Sequence, residues 1–509
     1  MAAYAEALAK LTTAHKDLAS SQLKKFYKVV DKVEQLIKQG NSKLREYLRT
    51  IFAANFRTVD AAELVKQGQR PPTLNAEALS VLSEALHYMP AATKGKPASN
   101  DNVLLEVITR YIQSSLAHLG KSTKPRITKA PYEKGSNTIH VYTQALKGFI
   151  TALSADLSNL FPGNDDLMSF YFDEIVSQSL REFITIISSL NIHIQSHLQT
   201  DSALTFELFE CTGQVINLVQ GCSSRLPTEL TDLVDQLRQT AKLVFQDLIK
   251  YIDTRVQGLT TLPNDNGICE ATVEIISRLA RIADYKFSAI LILQGAQNGF
   301  WIPTPRPTWA ENSSTSSGGA NKSVELLASF SCDAVDALFF NLEGKAKSLG
   351  RRNSQIGFFL LTNFALIMEY SRKSELMNML GPNGGERLDR LKKRAVNLFL
   401  EEWKQVAAHL MDVTVVKTGN KPLSSKDREV IKEKFKVFNT EFDALVARHR
   451  SYSISDPQLR EELRKEISFI SPLYYRFYDR HIGGDFSKNV DKYIKYDKLQ
   501  FDQILNSLA

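Results

Sequence analysis

Apolar residues recur along the chain at intervals of three and four positions, the spacing that places side chains on one face of an α-helix. The first clear stripe consists of Leu23, Phe26, Val30, Val33 and Ile37. Gly40 and Asn41 follow this stripe, and both residue types are common where helices end. The pattern therefore predicts that one helix stops at Gly40 and that a second resumes through Leu44.

The same spacing continues through most of the remaining chain. Further stripes are Leu104, Ile108, Ile112 and Leu116, then 175–190, then Leu230, Leu233, Leu237 and Leu243. No alternating run of β-branched residues between hairpin turns interrupts them. The most apolar window, 356–368, is shorter than the roughly 20 residues that span a bilayer. We predict an all-α fold in which this window is a buried core helix and any membrane contact is peripheral.

The C-terminal region has the clearest helix boundaries. Ser424 with Asp427 three residues later is a helix start signal, as is Asp497 with Gln500. The stripe after the first start consists of Val430, Ile431, Phe435, Phe438, Phe442 and Leu445. Basic residues, among them Lys432 and Lys436, lie on the opposite side of this predicted helix.

The length of 509 residues exceeds what one compact core supports, because single cores stop growing near about 250–300 residues. Polar, Pro- and Gly-rich connectors lie at 90–102, 260–267 and 301–323. We predict four helical bundles: 1–125, 126–300, 301–420 and 421–509. The third bundle contains a loop near 311–323 that we expect to be mobile, since it has almost nothing apolar to bury.

Charge is distributed unevenly. The whole chain carries a net +7 from 63 basic and 56 acidic residues, whereas 341–450 alone has 21 Lys and Arg against 13 Asp and Glu. Segregated charge of this kind is typical of an anionic partner, which could be nucleic acid, the acidic surface of a GTPase, or phospholipid, and equally of ordinary solvated helix surfaces. The four cysteines have no paired spacing, and the N-terminus lacks the apolar core of a signal peptide. Both features favour a reducing compartment.

Candidate catalytic and metal-binding residues are few. His193 and His197 have the i, i+4 spacing of metal ligands, but no third ligand accompanies them. Glu401 and Glu402 are adjacent, and neighbouring helical residues point about 100° apart, so they do not converge on one atom. The chain also lacks phosphate-binding glycine loops and the nucleophile elbow. We predict a protein that is not an enzyme and holds no metal or cofactor.

The stretch FSKNVDKYIKY, 486–496, alternates lysines with apolar and aromatic residues. In a helical turn Lys492 and Lys495 would share one face, which suits an anionic ligand. Tyr493, Ile494 and Tyr496 are expected to pack the last helix onto the bundle. The alternative is an ordinary solvated surface, on which Asp491 and Asp497 pair with these lysines.

Residues 426–496 resemble the C-terminal signature of the seventy-kilodalton subunit family of the exocyst. The matching residues are Lys426, Arg428, Ile431, Lys432, Phe435, Lys436, Phe438, Asn439, Leu459, Arg460, Phe486, Lys488, Asn489, Lys492, Tyr493, Ile494, Lys495 and Tyr496. The helix at 358–381 and the first helices also resemble the family. Val490 departs from the pattern, which commonly has proline there. We also expect the chain to begin after a coiled-coil-like segment that usually precedes the rod.

The resemblance implies an elongated, monomeric rod of stacked antiparallel helical bundles that helps tether secretory vesicles to the plasma membrane. It implies other exocyst subunits, a Rho-type GTPase and phosphatidylinositol 4,5-bisphosphate as partners, with no nucleic acid, and a location at the inner face of the plasma membrane. Lipid-binding residues carried over are Lys488, Lys492 and Lys495, with Lys432, Lys436, Arg476 and Arg480 as further basic surface. The alternatives are an α-solenoid adaptor or transport receptor that binds peptides and, more remotely, an all-helical enzyme.

Overall fold

A computed structural model describes residues 2–20, 27–88, 103–125, 128–223, 225–310, 322–411, 423–452, 456–483 and 486–508, without the side chains of 2 and 84–88. The regular elements in these ranges are twenty α-helices and two short 3₁₀ turns, with no β-strand. The predicted all-α fold class is confirmed. Within the same ranges, no helix is both long and apolar enough to cross a membrane.

The chain divides into two compact units, Met1–Leu243 and Val244–Ala509. The boundary falls inside one long helix, α10 (Thr228–Gln257). The predicted division into four bundles is finer than these two units and stays a prediction.

Unit 1 is built from helices that pack side by side. Its complete helices are α1 (Ala2–Ser20), α2 (Tyr27–Asn55), α3 (Ala61–Lys66), α4 (Ala76–Tyr88), α5 (Val103–Ser122), α6 (Ile139–Leu160), α7 (Asp165–Ser196), α8 (Leu198–Asp201) and α9 (Leu204–Cys222). Helix α5 packs against α6 and α7, and α6 also packs against α9. Leu116, Leu146 and Phe183 are fully buried in these helices, and the burial of Leu116 and Phe183 agrees with the predicted apolar stripes.

The predicted helix stop at Gly40 is wrong, because α2 continues through it from Tyr27 to Asn55. Gly40 is buried against α1, and a Cβ at this position would lie 2.6 Å from Leu8 Cδ1. The Tyr4 hydroxyl donates to the Gly40 carbonyl at 3.2 Å. The glycine therefore permits a close approach of two helices. Leu23 and Phe26 of the predicted stripe lie outside the described residues.

Unit 2 contains the remaining helices. They are α11 (Glu270–Ala283), α12 (Lys286–Ile292), α13 (Lys322–Ser348), α14 (Asn353–Lys373), α15 (Leu376–Leu380), α16 (Gly384–Ala408), α17 (Ser425–Arg450), α18 (Pro457–Ile467), α19 (Ile470–His481) and α20 (Lys498–Asn506). The predicted mobile loop near 311–323 lies outside the described residues up to position 321, and its last two residues open α13.

Helix α14 is the buried core helix predicted from the apolar window. It packs closely on α16, since a Cβ on Gly357 would lie 2.2 Å from the backbone nitrogen of Phe399. The polar Asn363 within the window is also buried. Its Oδ1 accepts hydrogen bonds from the Cys269 backbone N–H at 2.9 Å and the Thr272 hydroxyl at 2.7 Å. The Asn363 side chain thereby holds the N-terminal end of α11 against α14.

Both predicted start signals in the C-terminal region are confirmed. Ser424 and Asp427 form a capping box at α17, and Asp497 and Gln500 form another at α20. The apolar stripe of α17 is buried at Ile431, Phe435, Phe438, Phe442 and Leu445, whereas Val430 is exposed. Helix α17 is consequently the support against which the last part of the chain packs.

Candidate functional site

The candidate site is built on aromatic packing between α17, α19 and the 486–496 segment. The Phe435 ring lies 4.6 Å from the ring of Phe477 in α19 and 5.6 Å from that of Phe486. His481, the last residue of α19, packs 6.0 Å from Phe486. Phe486 is fully buried by these contacts. The Phe486 ring therefore fixes the start of the segment beside Phe435, near the middle of α17.

From Phe486 the segment runs along α17. The Asn439 side chain donates to the Tyr493 carbonyl at 2.8 Å, and the Tyr496 ring lies 5.9 Å from the ring of Phe442. The contact points on α17 therefore advance from position 435 to 442 as the segment advances from 486 to 496. At 1.5 Å per residue this is about 10 Å along the helix axis. The packing of Tyr493 and Tyr496 on the bundle agrees with the sequence-based expectation.

Lys492 and Lys495 do not share a helical face, so this part of the prediction is wrong. The only helical turn in the segment is a 3₁₀ turn at Val490–Lys492, and the backbone from 494 to 497 is irregular. Lys495 forms an ion pair with Asp443 of α17, and the Tyr496 hydroxyl donates to the same carboxylate. The hydrogen bond to Asp443 raises the pKa of Lys495. These tertiary contacts determine where Lys495 points.

Lys488 and Lys492 differ from Lys495 in having no ion-pair partner among the described residues. Both are exposed, and neither forms an ion pair with any carboxylate in the described part of the chain. The pairing with Asp491 and Asp497 expected for an ordinary surface is not formed by Lys488, Lys492 or Lys495. Asp497 instead accepts from the Gln500 backbone N–H at 2.7 Å as the cap of α20. Two lysines of the predicted site are thus available to an external anion.

The four further basic residues fall into two pairs. On α17, Lys432 pairs with Glu429 at 3.1 Å, whereas Lys436 lies 3.9 Å from Glu433 and stays 70% exposed. On α19, Arg476 and Arg480 are both exposed. Arg476 has no ion-pair partner among the described residues. The structure does not gather all four into one cluster with the lysines.

The sequence analysis did not assign Lys426 and Arg428 to the site. Both are exposed in the first turn of α17, nine and seven residues before Phe435, against which Phe486 packs, and neither has an ion-pair partner in the described ranges. The end of α16 reaches this region too, since the Lys434 Nζ donates to the Met411 carbonyl at 3.1 Å. The capping box at Ser424 was a usable signal, because it places the next residues in an exposed first turn.

The candidate metal ligands have structural partners. His193 Nε2 lies 3.0 Å from Asp201 Oδ2, and His197 Nδ1 donates to the His193 carbonyl at 3.0 Å. The two imidazole rings stack with centroids 4.1 Å apart. Within the described residues, no group of three or more His, Cys, Asp or Glu is arranged to hold a metal ion.

The adjacent glutamates diverge as predicted. Glu401 accepts from the Asn353 side chain at 2.6 Å and Glu402 from Arg448 at 2.7 Å. The buried charges of Arg387, Asp333 and Asp336 bind one another, with Arg387 Nη2 2.7 Å from Asp333 Oδ1. Asp333 also accepts from Trp301 Nε1 at 2.9 Å. These groups join α13 to α16 and to the preceding loop, and their polar atoms are occupied by this packing.

Similar proteins were found by sequence and by structure. Residues 136–507 match the family described as the C-terminal part of the Exo70 exocyst complex subunit. The chain is 40% identical to the exocyst complex protein EXO70 of Yarrowia lipolytica, over 100% of this chain and 84% of that protein. It is 30% identical to the exocyst complex component EXO70 of Saccharomyces cerevisiae, over 99% of this chain and 84% of that protein.

The fold is similar to solved structures along nearly the whole chain. The crystal structure of the S. cerevisiae exocyst component Exo70p aligns with a TM-score of 0.78 at 27% identity, covering 99% of this chain and 94% of that chain. A second S. cerevisiae Exo70 structure, at 2.1 Å resolution, aligns with a TM-score of 0.79 at 29% identity and the same coverage. The resemblance read from the C-terminal motifs is therefore confirmed, and the chain belongs to the Exo70 family of exocyst subunits.

Proposed function

We propose that the protein acts within an exocyst complex to help tether secretory vesicles to the plasma membrane before fusion. As a member of this family it is not an enzyme. Membership of the family supports the proposal, with the other exocyst subunits as its partners. Its place of action in this proposal is the inner face of the plasma membrane at sites of polarised secretion, where it binds peripherally.

In this proposal, Lys488 and Lys492 make the contact with the membrane by binding phosphatidylinositol 4,5-bisphosphate. The observation that carries this is the exposure of both lysines without an ion-pair partner among the described residues, on a segment that Phe486 anchors. Lys495 stays in the proposed site in a minor role, because Asp443 already occupies its ammonium group. Each basic residue near an anionic leaflet contributes about 1 kcal/mol, so the binding is reversible.

Vesicle binding tests this assignment. Replacing Lys488 and Lys492 with Ala together should weaken binding to vesicles containing phosphatidylinositol 4,5-bisphosphate by about thirtyfold, which corresponds to about 2 kcal/mol. The parent protein should also bind more weakly as salt rises, since the Debye length is about 8 Å at physiological ionic strength. The matched control is Lys38→Ala in α2 of unit 1, which removes an exposed lysine that pairs with Glu34 and should leave vesicle binding unchanged. Unchanged binding by the double variant at low salt would contradict the proposal.

The protein also serves, in this proposal, as an effector of a Rho-type GTPase. The basic excess of residues 341–450 supports an acidic protein partner for unit 2. The test is retention of the protein on immobilised Rho-type GTPases loaded with a non-hydrolysable GTP analogue, compared with the same GTPases loaded with GDP. Equal retention in both nucleotide states would contradict an effector role, because an effector distinguishes them.

A further inference from the structure

Three large apolar side chains are exposed along one side of α2 in unit 1. Val29 is 48% exposed, Leu36 is 50% exposed and Tyr47 is 41% exposed. They are seven and eleven residues apart, and at about 100° per residue both spacings return to within about 20° of the same direction. The three residues, called the α2 strip below, therefore form a row about 27 Å long on one face of the helix.

Helix α1 borders the α2 strip. The Tyr4 hydroxyl donates to the Gly40 carbonyl at 3.2 Å, and Gly40 lies between Leu36 and Tyr47 on α2. Tyr4 is itself 40% exposed, and Ala7, one turn further along α1, is exposed too. The two helices together therefore present one apolar surface.

The packing of α2 leaves this surface open. Residues 27–39 of the helix are all described, and none of them is buried, although α2 packs on α1. Helix α5 packs on another side, where Arg49 binds Glu106 at 2.7 Å. Arg49 is two residues from Tyr47 and so lies about 160° from it round the helix. Single exposed apolar residues need no explanation, but a row on one face is typical of a helix that packs against another helix.

Two lysines lie beside the α2 strip. Lys32 is three residues after Val29 and four before Leu36, and Lys43 is four residues before Tyr47. Residues three and four apart are neighbours on a helix surface, so each lysine lies next to the strip. Both lysines are exposed, and neither forms an ion pair with a carboxylate in the described part of the chain.

The carboxylates in the first half of α2 point away from the strip. Asp31 is two residues from Val29, and Glu34 is two residues from Leu36, so each lies about 160° from the strip residue. Glu34 also pairs with Lys38 at 2.8 Å. The apolar row is therefore flanked by positive charge that these carboxylates do not neutralise.

We infer that the α2 strip, together with Tyr4, is a docking surface for one amphipathic helix of a partner protein. The apolar residues of that helix recur at the spacing of the strip, and its acidic residues face Lys32 and Lys43. A helix is the occupant because the strip is narrow and five turns long, which is the form of a helix–helix contact. A bilayer favours a broader apolar face.

The flanking charge also selects against a second copy of this chain. Two copies that paired strip to strip would bring Lys32 and Lys43 of one copy near the same lysines of the other. Like charges placed opposite one another are unfavourable, whereas an acidic helix satisfies both lysines. The surface lies in unit 1, so the inference goes beyond the lipid binding proposed for the C-terminal lysines.

Peptide binding tests the apolar part of the surface. The probe is a fluorescently labelled helical peptide with leucines at the spacing of the strip and glutamates beside them, and its anisotropy is measured with the full chain. Val29→Ser combined with Leu36→Ser should weaken binding about tenfold, because apolar surface is no longer buried. The matched control is Ile192→Ser in α7, at an isoleucine that is 66% exposed, and it should bind like the parent.

A charge exchange tests the two lysines. Lys32→Glu combined with Lys43→Glu should weaken binding of the glutamate peptide about tenfold. The same variant should bind more tightly than the parent to a second peptide in which lysines replace the glutamates. Rising salt should reduce both differences. Lys124→Glu combined with Lys129→Glu, which reverses two exposed lysines elsewhere in unit 1, should leave binding of both peptides nearly unchanged.

The opposite outcomes are specific. Parent protein that does not bind the glutamate peptide, or a Val29 and Leu36 double variant that binds it like the parent, would overturn the docking surface. Self-association of the parent that this double variant loses would overturn the partner helix in favour of a second copy. Binding of the parent to phosphatidylserine vesicles that the variant loses would overturn it in favour of a bilayer. Circular dichroism should show unchanged helix content in all variants.

Discussion

The 486–496 segment divides at Tyr493, and its two unequal halves, 486–492 and 493–496, carry the same kinds of residues and use them differently. In the first half, Lys488 and Lys492 are exposed and have no ion-pair partner in the described structure. In the second half, Lys495 and Tyr496 both bind Asp443. Asp443 lies eight residues beyond Phe435 on α17, about 12 Å along the axis from the point where Phe486 fixes the start of the segment. The neighbouring helix, and not the local spacing, determines which lysine is available.

The largest effect is expected from removing the anchor that both halves share. Phe486→Ala would empty a buried site between Phe435, His481 and Tyr493. Truncating a buried phenylalanine costs about 3–5 kcal/mol, so the urea midpoint of the transition that reports on the C-terminal helices should fall markedly. Lys488→Ala, two residues away and exposed, should leave the midpoint almost unchanged. Equal midpoints for the two variants would show that the segment is not fixed by this ring.

The next largest effect is the pH dependence of stability that a buried histidine confers on α17, the helix that carries Asp443. His449 lies in α17, is 3% exposed and packs within 6.0 Å of the Phe399, Trp403 and Tyr452 rings. Burial lowers the pKa of His449 to about 4. The pKa of a histidine in the unfolded chain is about 6.5. Between this pH and pH 4, His449 is therefore protonated in the unfolded chain and neutral in the folded protein. The contribution of His449 to the free energy of unfolding is fully present above pH 6.5 and decreases as the pH drops towards 4. The decrease is about 2 kcal/mol between pH 7 and pH 5.

His449→Phe is the control for this pH dependence. It keeps an aromatic ring at the site and removes the titrating group. Burial raises the pKa values of Asp156 and Asp336 to about 6, so these two groups gain stability as the pH falls and oppose the histidine. The readout is consequently the difference between parent and variant in urea midpoints measured from pH 7 to pH 5. Parallel midpoints across this range would contradict a buried neutral His449.

A smaller effect tests whether Asp443 is the reason that Lys495 is less available to lipid than the lysines of the first half. Asp443→Asn should release the ammonium group of Lys495 and let it contact lipid, which corresponds to about 1 kcal/mol or a fivefold gain in vesicle binding. The same change should lower stability slightly, since the Tyr496 hydroxyl loses a charged acceptor. Adding Lys495→Ala should abolish the gain. A gain that survives in this double variant would have to come from the lost negative charge alone.

Particular residues show how far the sequence could lead. The helix starts at Ser424 and Asp497 were predictable, because capping depends on residues within one turn. The apolar window at 356–368 was predictable as a buried helix for the same local reason. Gly40 was misread, because a glycine that ends a helix and one that admits a neighbouring helix look alike in sequence. Lys495 was misread because its partner is 52 residues away along the chain.

The smallest expected effect completes the comparison of the two halves. Lys492→Ala and Lys495→Ala each remove one lysine from the same segment, three residues apart. Binding to vesicles that contain phosphatidylinositol 4,5-bisphosphate should fall about fivefold for Lys492→Ala, since an unpaired lysine contributes about 1 kcal/mol. It should fall less than twofold for Lys495→Ala, because that ammonium group is held by Asp443. Thermal unfolding should show the reverse order. Lys495→Ala breaks an exposed ion pair that contributes about 0.2–1 kcal/mol, whereas Lys492→Ala breaks none in the described structure. A larger loss of vesicle binding for Lys495→Ala would mean that the pair with Asp443 opens at the membrane and that both halves of the segment bind lipid.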